Sequence, residues 1–363
     1  MRKSSSEPIV RHPVTKTRRK PAHTPDAIQD ARAQLLRWYG EHRRPLPWRA
    51  TTDPYAIWVS ELMCQQTRVD TVIPYFQRWM ARFPDVQTLA QSPIEDALLV
   101  WQGLGYYRRA RHLHAGAQRV VEDYDGRLPS DAKTLATLPG IGPYTAGAIA
   151  SIAFQEQTPA VDGNVLRVLS RVTMEEGSIS RAPAQRRIRA FAQDLVQGPT
   201  PGDLNQALME LGATICTPTS PACLLCPLAN ICRATREGRA ESFPVKDAKK
   251  AARIEHAHAW LIVRPTDQAM FLAQRADDQL LGGLWEAPLL HTPPSDEAWN
   301  EEGQVRHLFS HIDLNVTLWV AREAADVPAL PKRYQAGQWV LEQELDQFPQ
   351  STLMRKLLAS RAR

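Results

Sequence analysis

Four of the chain's five cysteines fall within one stretch, Cys216-x6-Cys223-x2-Cys226-x5-Cys232. Thiolates are soft ligands, and four at this spacing suit either a structural zinc or an iron–sulphur cluster. Zinc sites more often pair two short knuckles, and only one short pair, Cys223-x2-Cys226, is present. Either group would tie down a loop with little apolar content of its own and present Arg233 and Arg236 to an anionic partner. Two carboxylates suggest acid–base work. Glu61 ends an apolar run, Trp58-Val59-Ser60-Glu61-Leu62-Met63-Cys64, so it is expected to be partly buried with a raised pKa. Asp162, in Val161-Asp162-Gly163-Asn164-Val165, stands where it can cap the next helix, and the helix N–H donors are expected to keep it ionised. The ordinary roles of such residues are an exposed helix Glu and a plain N-cap Asp.

These groups need elements to hold them. Asp53-Pro54 reads as an N-cap with proline at the first helical position, opening a helix through Glu61. Ser92-Pro93-Ile94-Glu95 reads as a capping box opening a helix to Trp101. Tyr106 to Tyr124 continues helically, with Leu113, Ala117, Val120 and Val121 on one face. Ser130 is expected to cap a short helix ending at Leu138-Pro139-Gly140. Further helices are predicted over 143–154, 164–172, 184–197 and 203–214. Between two of them lies Leu138-Pro139-Gly140-Ile141-Gly142-Pro143-Tyr144, whose glycines permit a tight turn into a helix with free N–H groups for a phosphate. A Gly-x-Gly turn alone is usually a plain helix–helix corner; the two flanking helices, with Leu138 and Ile141 anchoring the turn, favour a helix–hairpin–helix DNA-backbone clamp using Gly140 and Gly142. After residue 253 the pattern turns to strands at 259–263, 269–272, 314–320 and 338–341, an α+β domain rich in sheet.

The chain has 363 residues and a net charge of +5, from 44 Lys+Arg against 39 Asp+Glu. Its 43% hydrophobic content excludes a wholly disordered chain, and it holds no apolar run long enough to span a membrane. Five cysteines are too few and too clustered for a disulfide scaffold. Residues 1–25 carry seven basic groups and one acid, residues 26–250 carry +3, and residues 251–363 carry −4. The first 25 residues read as a disordered basic tail that adds salt-sensitive attraction to nucleic acid. Lysine is scarce: Lys133 is the sole lysine between residues 21 and 245.

Several segments resemble adenine DNA glycosylases, the MutY family: Ser60–Val69, Gly103-Leu104-Gly105-Tyr106-Tyr107, Leu138–Gly147, Val161–Val165, Ala207–Gly212, Leu281–Glu286 and Phe309-Ser310-His311. The likeness spans about residues 26–345, with Cys64 standing where the family usually has leucine. It implies a multi-domain protein: a helical helix–hairpin–helix glycosylase domain over 26–233, a 4Fe–4S loop over 216–232, a linker over 234–252, and a Nudix-like lesion-recognition domain over 253–363. It implies one 4Fe–4S cluster per chain on Cys216, Cys223, Cys226 and Cys232. It further implies removal of adenine mispaired with 8-oxoguanine or guanine in duplex DNA, by a monomer in the bacterial cytoplasm, associated with the nucleoid and not with membrane. By similarity Glu61 protonates adenine and helps activate water. Asp162 stabilises the sugar cation, by charge or through a covalent bond, and Tyr144 and Asn164 align the two acids. Arg49 and Glu210 contact the flipped adenine, while Gln66, Leu104 and Tyr106 act as wedges in the stack. Thr67 and Ser310 read the 8-oxoguanine strand. The chemistry agrees, because adenine leaves only when protonated and its departure builds an oxocarbenium-like cation. A neutral acid beside an ionised carboxylate serves both needs.

A bifunctional glycosylase/lyase like endonuclease III needs a lysine just after the hairpin's second glycine, where this chain has Pro143-Tyr144. That leaves only Lys133 for adventitious Schiff-base chemistry in the helical region. A non-catalytic DNA-binding module would not need Glu61 and Asp162 in matching motifs. Residues 291–303 lack the metal-binding carboxylate pattern of a Nudix hydrolase, so no nucleotide hydrolysis is expected.

Overall fold

The computed structural model describes residues 23–248, 251–295, 297–322, 327 and 329–361. Most of the basic tail expected over residues 1–25, and Lys249 and Lys250 of the expected linker, lie outside the described residues.

The first part of the chain is helical: α1 (Pro25–His42), α2 (Pro54–Cys64), α3 (Val69–Arg82), α4 (Val86–Gln91), α5 (Ile94–Trp101), α6 (Arg108–Tyr124), α7 (Ala132–Leu135), α8 (Pro143–Phe154), α9 (Gly163–Thr173), α10 (Ala182–Leu195), α11 (Pro201–Thr214) and α12 (Arg233–Arg236). Asp53 caps α2 through both oxygens, to the Tyr55 and Ala56 N–H groups, with Pro54 at N1. Ser92 does not cap α5. Its hydroxyl donates to the Leu89 carbonyl at 2.8 Å, closing α4, and Pro93 takes the N-cap position instead. Asp131, one residue beyond Ser130, caps α7 because its carboxylate reaches the Thr134 N–H at 2.8 Å. Tyr106 is not helical: its φ of +51° breaks the chain before α6 starts at Arg108.

The helices form two packed bodies. One core gathers α2 to α8 around Trp58, Trp79 and Trp101, all fully buried. The other gathers α1, α9, α10, α11 and the cysteine loop around Leu35, Leu169 and Leu208. The half of the expected linker that follows α12 is docked onto this second body: Phe243 is buried in it and the Arg171 guanidinium holds the Phe243 carbonyl at 3.0 Å.

The rest is β1 (Arg253–Ile262), β2 (Met270–Arg275), β3 (Trp285–Glu286), β4 (Leu289–Leu290), β5 (Trp299–Leu308), β6 (Ile312–Ala321), β7 (Tyr334–Val340) and α13 (Thr352–Ser360). One sheet runs β4-β1-β6-β5, with β1 and β6 parallel and Ala259 opposite Leu318. The other is β3-β2-β7, antiparallel. β5 escapes sequence reading because it is a sheet edge: Trp-Asn-Glu-Glu-Gly-Gln-Val-Arg-His-Leu carries charge where a central strand would alternate. This domain is joined to the helices by close contacts. Leu284 is buried in the core of α2 to α8, and Arg111 of α6 pairs with Asp277 at 2.9 Å. The Tyr107 hydroxyl donates to the Gln350 carbonyl at 2.9 Å, while the Gln350 N–H reaches the Gln102 side chain at 2.7 Å. No described helix is long and apolar enough to cross a membrane.

Candidate active site

A cleft of about 740 Å³ opens between the two helical bodies. Glu61 enters it from α2, Tyr144 from the first turn of α8, and Asp162 from the N-terminus of α9. Residues a hundred positions apart in sequence thus face one another because α2 and α8 pack in one body and α9 in the other.

Glu61 is half-buried and its carboxyl bonds the Tyr144 hydroxyl. Burial pushes its pKa up to about 7; the Tyr144 hydrogen bond opposes the rise and the nearby Asp162 charge adds to it. Tyr144 itself is held well above its usual range by burial and by the two carboxylates, so it remains a phenol that donates. Asp162 caps α9 as the sequence implies, accepting the Val165 N–H at 2.7 Å on one oxygen and the Asn164 amide at 2.9 Å on the other. These donors do not dominate its ionisation, contrary to the expectation from capping. Burial raises its pKa, and the Val165 and Asn164 donors only limit that rise. The difference between the two acids is therefore one of hydrogen bonding: Asp162 takes two N–H donors that favour its charged form, whereas Glu61 has one hydroxyl. Asn164 is fixed in turn by Arg167, whose guanidinium also holds the Gly212 and Cys216 carbonyls at 2.8 Å each. Gly212 lacks a side chain where one is impossible, since a Cβ there would lie 2.6 Å from the Asn164 Cβ.

Across the cleft, the Glu210 side chain is fully buried and both its oxygens are taken. Arg44 bonds it at 2.8 and 2.9 Å and Arg49 at 2.8 Å. Burial would raise the Glu210 pKa, but the two guanidiniums overcome this and hold it at about 2. What this cluster turns to the cleft is the arginine pair; Glu210 supplies their fixed counter-charge. Arg44 carries no motif signal; its proximity to Glu210 is a tertiary fact. Glu210→Gln would leave two cations sharing a neutral partner. A stability loss of about 3 kcal/mol is expected, read as a lower urea midpoint at unchanged slope.

The remaining predicted residues divide by exposure. Gln66 and Tyr106 project into solvent, both in left-handed conformations with φ of +58° and +51°. Leu104, expected as a wedge, is 6% exposed and packs in the core of α2 to α8, so it has no free face to insert. Ser310 lies 3.4 Å from the Tyr106 hydroxyl, bringing together residues from the two domains. Thr67 is half-buried beside Gln65. In the hairpin only Gly140 needs to be glycine for its backbone: its φ is +76°, and a Cβ there would lie 2.5 Å from His112. Gly142 is the extended N-cap of α8 at φ −86°, with open space beside its Cα and no side-chain cap on the helix. Lys133 sits exposed on α7 and does not line the cleft, whereas Lys246 of the docked linker does.

The four cysteines line one small pocket beneath α9. Cys216 and Cys232 are buried, and Arg171 donates to the Cys216 sulphur at 3.2 Å. Burial pushes the Cys226 thiol up to about 12 and raises Cys216 as well, so thiolates here need a metal's positive charge. No set of three or more ligands among the described residues converges on a point that would hold a single ion. Four sulphurs round one pocket are the donor set that a structural zinc or an iron–sulphur cluster takes.

Residues 59–193 match the model of the HhH-GPD superfamily of base excision DNA repair proteins, and residues 259–360 match that of the NUDIX domain. A thermostable thymine-DNA glycosylase structure superposes with a TM-score of 0.54 at 27% identity, covering 58% of this chain and 98% of that one. An endonuclease III–DNA covalent intermediate, at 20% identity and a TM-score of 0.51, shares the fold over 60% of this chain and 99% of its own. The mouse adenine DNA glycosylase is 36% identical over 90% of this chain and 76% of its own length. That of Buchnera aphidicola (subspecies Schizaphis graminum) is 32% identical over 78% and 84%. The chain belongs to the adenine DNA glycosylase family.

Proposed function

We propose that this DNA glycosylase removes adenine paired with 8-oxoguanine or guanine in duplex DNA by hydrolysing the N-glycosidic bond, without strand cleavage. The observation that carries the reading is the pair of opposed carboxyl groups. Glu61, half-neutral near pH 7, faces the cleft from one body, and Asp162, with two N–H donors, faces it from the other. Glu61 delivers its proton to the adenine ring as the bond to the sugar lengthens. Tyr144 keeps the acid oriented through its hydroxyl. Asp162 faces the positive charge that grows on the sugar, and Asn164 holds the carboxylate in place. Water, activated by the deprotonated Glu61, then adds to the sugar carbon. Arg49 and Arg44 supply donors to the base edge, with Glu210 fixing both.

The same reading assigns Gln66 and Tyr106 to the gap left by the extruded base. Thr67 and Ser310 are assigned to the 8-oxoguanine strand, and Gly140 and Gly142 to the backbone clamp. The domains we assign are the helical unit over 26–233, the segment 234–252 and the lesion-reading unit over 253–363. Cys216, Cys223, Cys226 and Cys232 would hold a 4Fe–4S cluster, which would supply a rigid tie for the loop that bears Arg167's acceptor at Cys216. The enzyme acts as a monomer on chromosomal DNA in the cytoplasm.

Base release from duplexes pairing adenine with 8-oxoguanine, guanine or cytosine, on protein assayed for iron and zinc, tests this reading. Release opposite 8-oxoguanine and guanine but not cytosine is expected, with iron and not zinc bound. Strand nicking as fast as adenine release would sink the hydrolytic reading. Deleting residues 253–363 would be a poor test of lesion reading, because it strips Leu284 from the helical core. Ser310→Ala is cleaner: the preference for 8-oxoguanine over guanine should fall several-fold with melting temperature unchanged. An unaltered preference would remove Ser310 from lesion reading.

A further inference from the structure

Arg109, on α6, is 8% exposed and buried among main-chain acceptors. One terminal nitrogen donates to the carbonyls of Leu62, Met63 and Gln65 at 2.7, 2.9 and 2.6 Å. The other reaches the Gly105 carbonyl at 2.9 Å and the Thr67 hydroxyl at 3.3 Å, and Nε approaches the Tyr106 carbonyl at 3.4 Å. The guanidinium carbon lies 5.2 Å from the centroid of the Trp101 ring and 5.3 Å from that of the Tyr106 ring. No carboxylate pairs with it among the described residues. A buried cation satisfied by neutral acceptors is costly, and burial lowers its pKa to about 10.

Its acceptors are not a random set. Leu62, Met63 and Gln65 lie at the C-terminus of α2, the helix that bears Glu61, where carbonyls run short of intrahelical partners; besides Arg109, Leu62 takes only a long bond from the Gln65 N–H and Gln65 one from the Thr67 hydroxyl, at 3.4 Å each. Gln65 and Thr67 flank Gln66, and Gly105 and Tyr106 form the second projecting turn. Gln66 and Tyr106 are the residues of these two turns that adopt left-handed backbone without being glycine. Such conformations persist only where the surroundings over-determine them. One guanidinium contacts the chain on both sides of Gln66 and at Tyr106 itself.

We propose that Arg109 is a positioning residue for base extrusion: it clamps the Gln66 and Tyr106 turns to the end of the Glu61 helix, so that both side chains stand preformed to enter the duplex at a fixed distance from the acid. The proposal rests on the reading of Gln66 and Tyr106 as wedges. Arg109 touches neither substrate nor reacting atoms; it acts by removing the ordering step from insertion. Lysine cannot replace it, because three donors on one nitrogen cannot span two turns and a helix end.

The test compares single-turnover adenine release from two duplexes, one with adenine paired to 8-oxoguanine and one with adenine already unpaired opposite an abasic analogue. Each rate is expressed relative to the unsubstituted enzyme. Arg109→Lys and Arg109→Gln are expected to lose about 10- to 100-fold on the paired duplex and under about threefold on the unpaired one. Taking both rates on one preparation cancels any difference in folded fraction. Equal losses on the two duplexes, or no loss on the paired one, would overturn the proposal. Gln66→Ala and Tyr106→Ala separate the two readings. If these leave the paired-to-unpaired ratio unchanged, the wedge reading fails; if they lower it and the Arg109 variants do not, the clamp alone fails. Should neither Arg109 variant fold, Thr67→Val removes one acceptor and keeps the guanidinium. On A:G duplexes it should lower the ratio two- to fivefold, and an unchanged ratio overturns the clamp.

Discussion

Asp162→Asn is expected to lower single-turnover adenine release by on the order of 10³-fold or more, while duplex affinity stays within a few-fold. The carboxylate faces a site where positive charge appears only as the glycosidic bond breaks, so its removal costs the transition state and spares the bound duplex. The fold should tolerate the change. Asparagine caps helices as well as aspartate does, and its carbonyl can keep the Val165 N–H now held at 2.7 Å. The Asn164 amide, at 2.9 Å from the other oxygen, cannot flip because Arg167 holds its carbonyl, so it loses that acceptor and a melting temperature a few degrees lower is expected. The checks are burst amplitude and rate on an A:8-oxoguanine duplex, with the melting temperature as control. Turnover within tenfold of the parent would remove Asp162 from the mechanism.

Glu61→Gln is expected to abolish release by a comparable factor and, above pH 7, to stabilise the protein. The two effects have one cause. Glu61 is protonated to higher pH in the folded chain, about 7, than its usual 4.5. The folded state therefore binds more protons than the unfolded state between those values. Stability falls as pH rises through that window and stays low above it. Glutamine removes this penalty, which after allowance for partial exposure is roughly 2 kcal/mol at pH 8 and near zero at pH 4. Thermal melts of the pair at both pH values read it directly. In the parent, single-turnover release should decline as pH climbs through about 7, because the proton donor is lost. A rate flat from pH 6 to 9 would mean that adenine takes its proton elsewhere. Stabilisation that is equal at pH 4 and pH 8 would mean that Glu61 is not the buried acid.

The helices that carry the site were readable because their signals are local. Asp53-Pro54 and Asp162 cap as their types dictate, and the span 143–154 was recovered because Pro143 opens it and small apolar residues fill it. Chemistry that depends on local company was readable as well, notably a raised Glu61 in an apolar helix end. Where local rules competed, sequence reading slipped. Ser92 had two acceptors within reach and closed the preceding helix, and Tyr106 gave up helical backbone to lie against Arg109. The edge strand β5 has charge on both faces and so shows no period.

Residue types and spacing set the inventory: two acids, a glycine hairpin, a four-cysteine loop and a single lysine between residues 21 and 245, each tied to a residue type that its chemistry requires. Which of these meet is a matter of packing. Packing α2 and α8 in one body and α9 in another sets Glu61 and Tyr144 opposite Asp162. Burial, rather than capping, sets the direction of Asp162's pKa, and it locks Glu210 behind Arg44 and Arg49. The same packing takes Leu104 out of the wedge and brings Lys246 to the cleft. Burial and long-range proximity are sums over residues distant in the chain, and no local pattern encodes them.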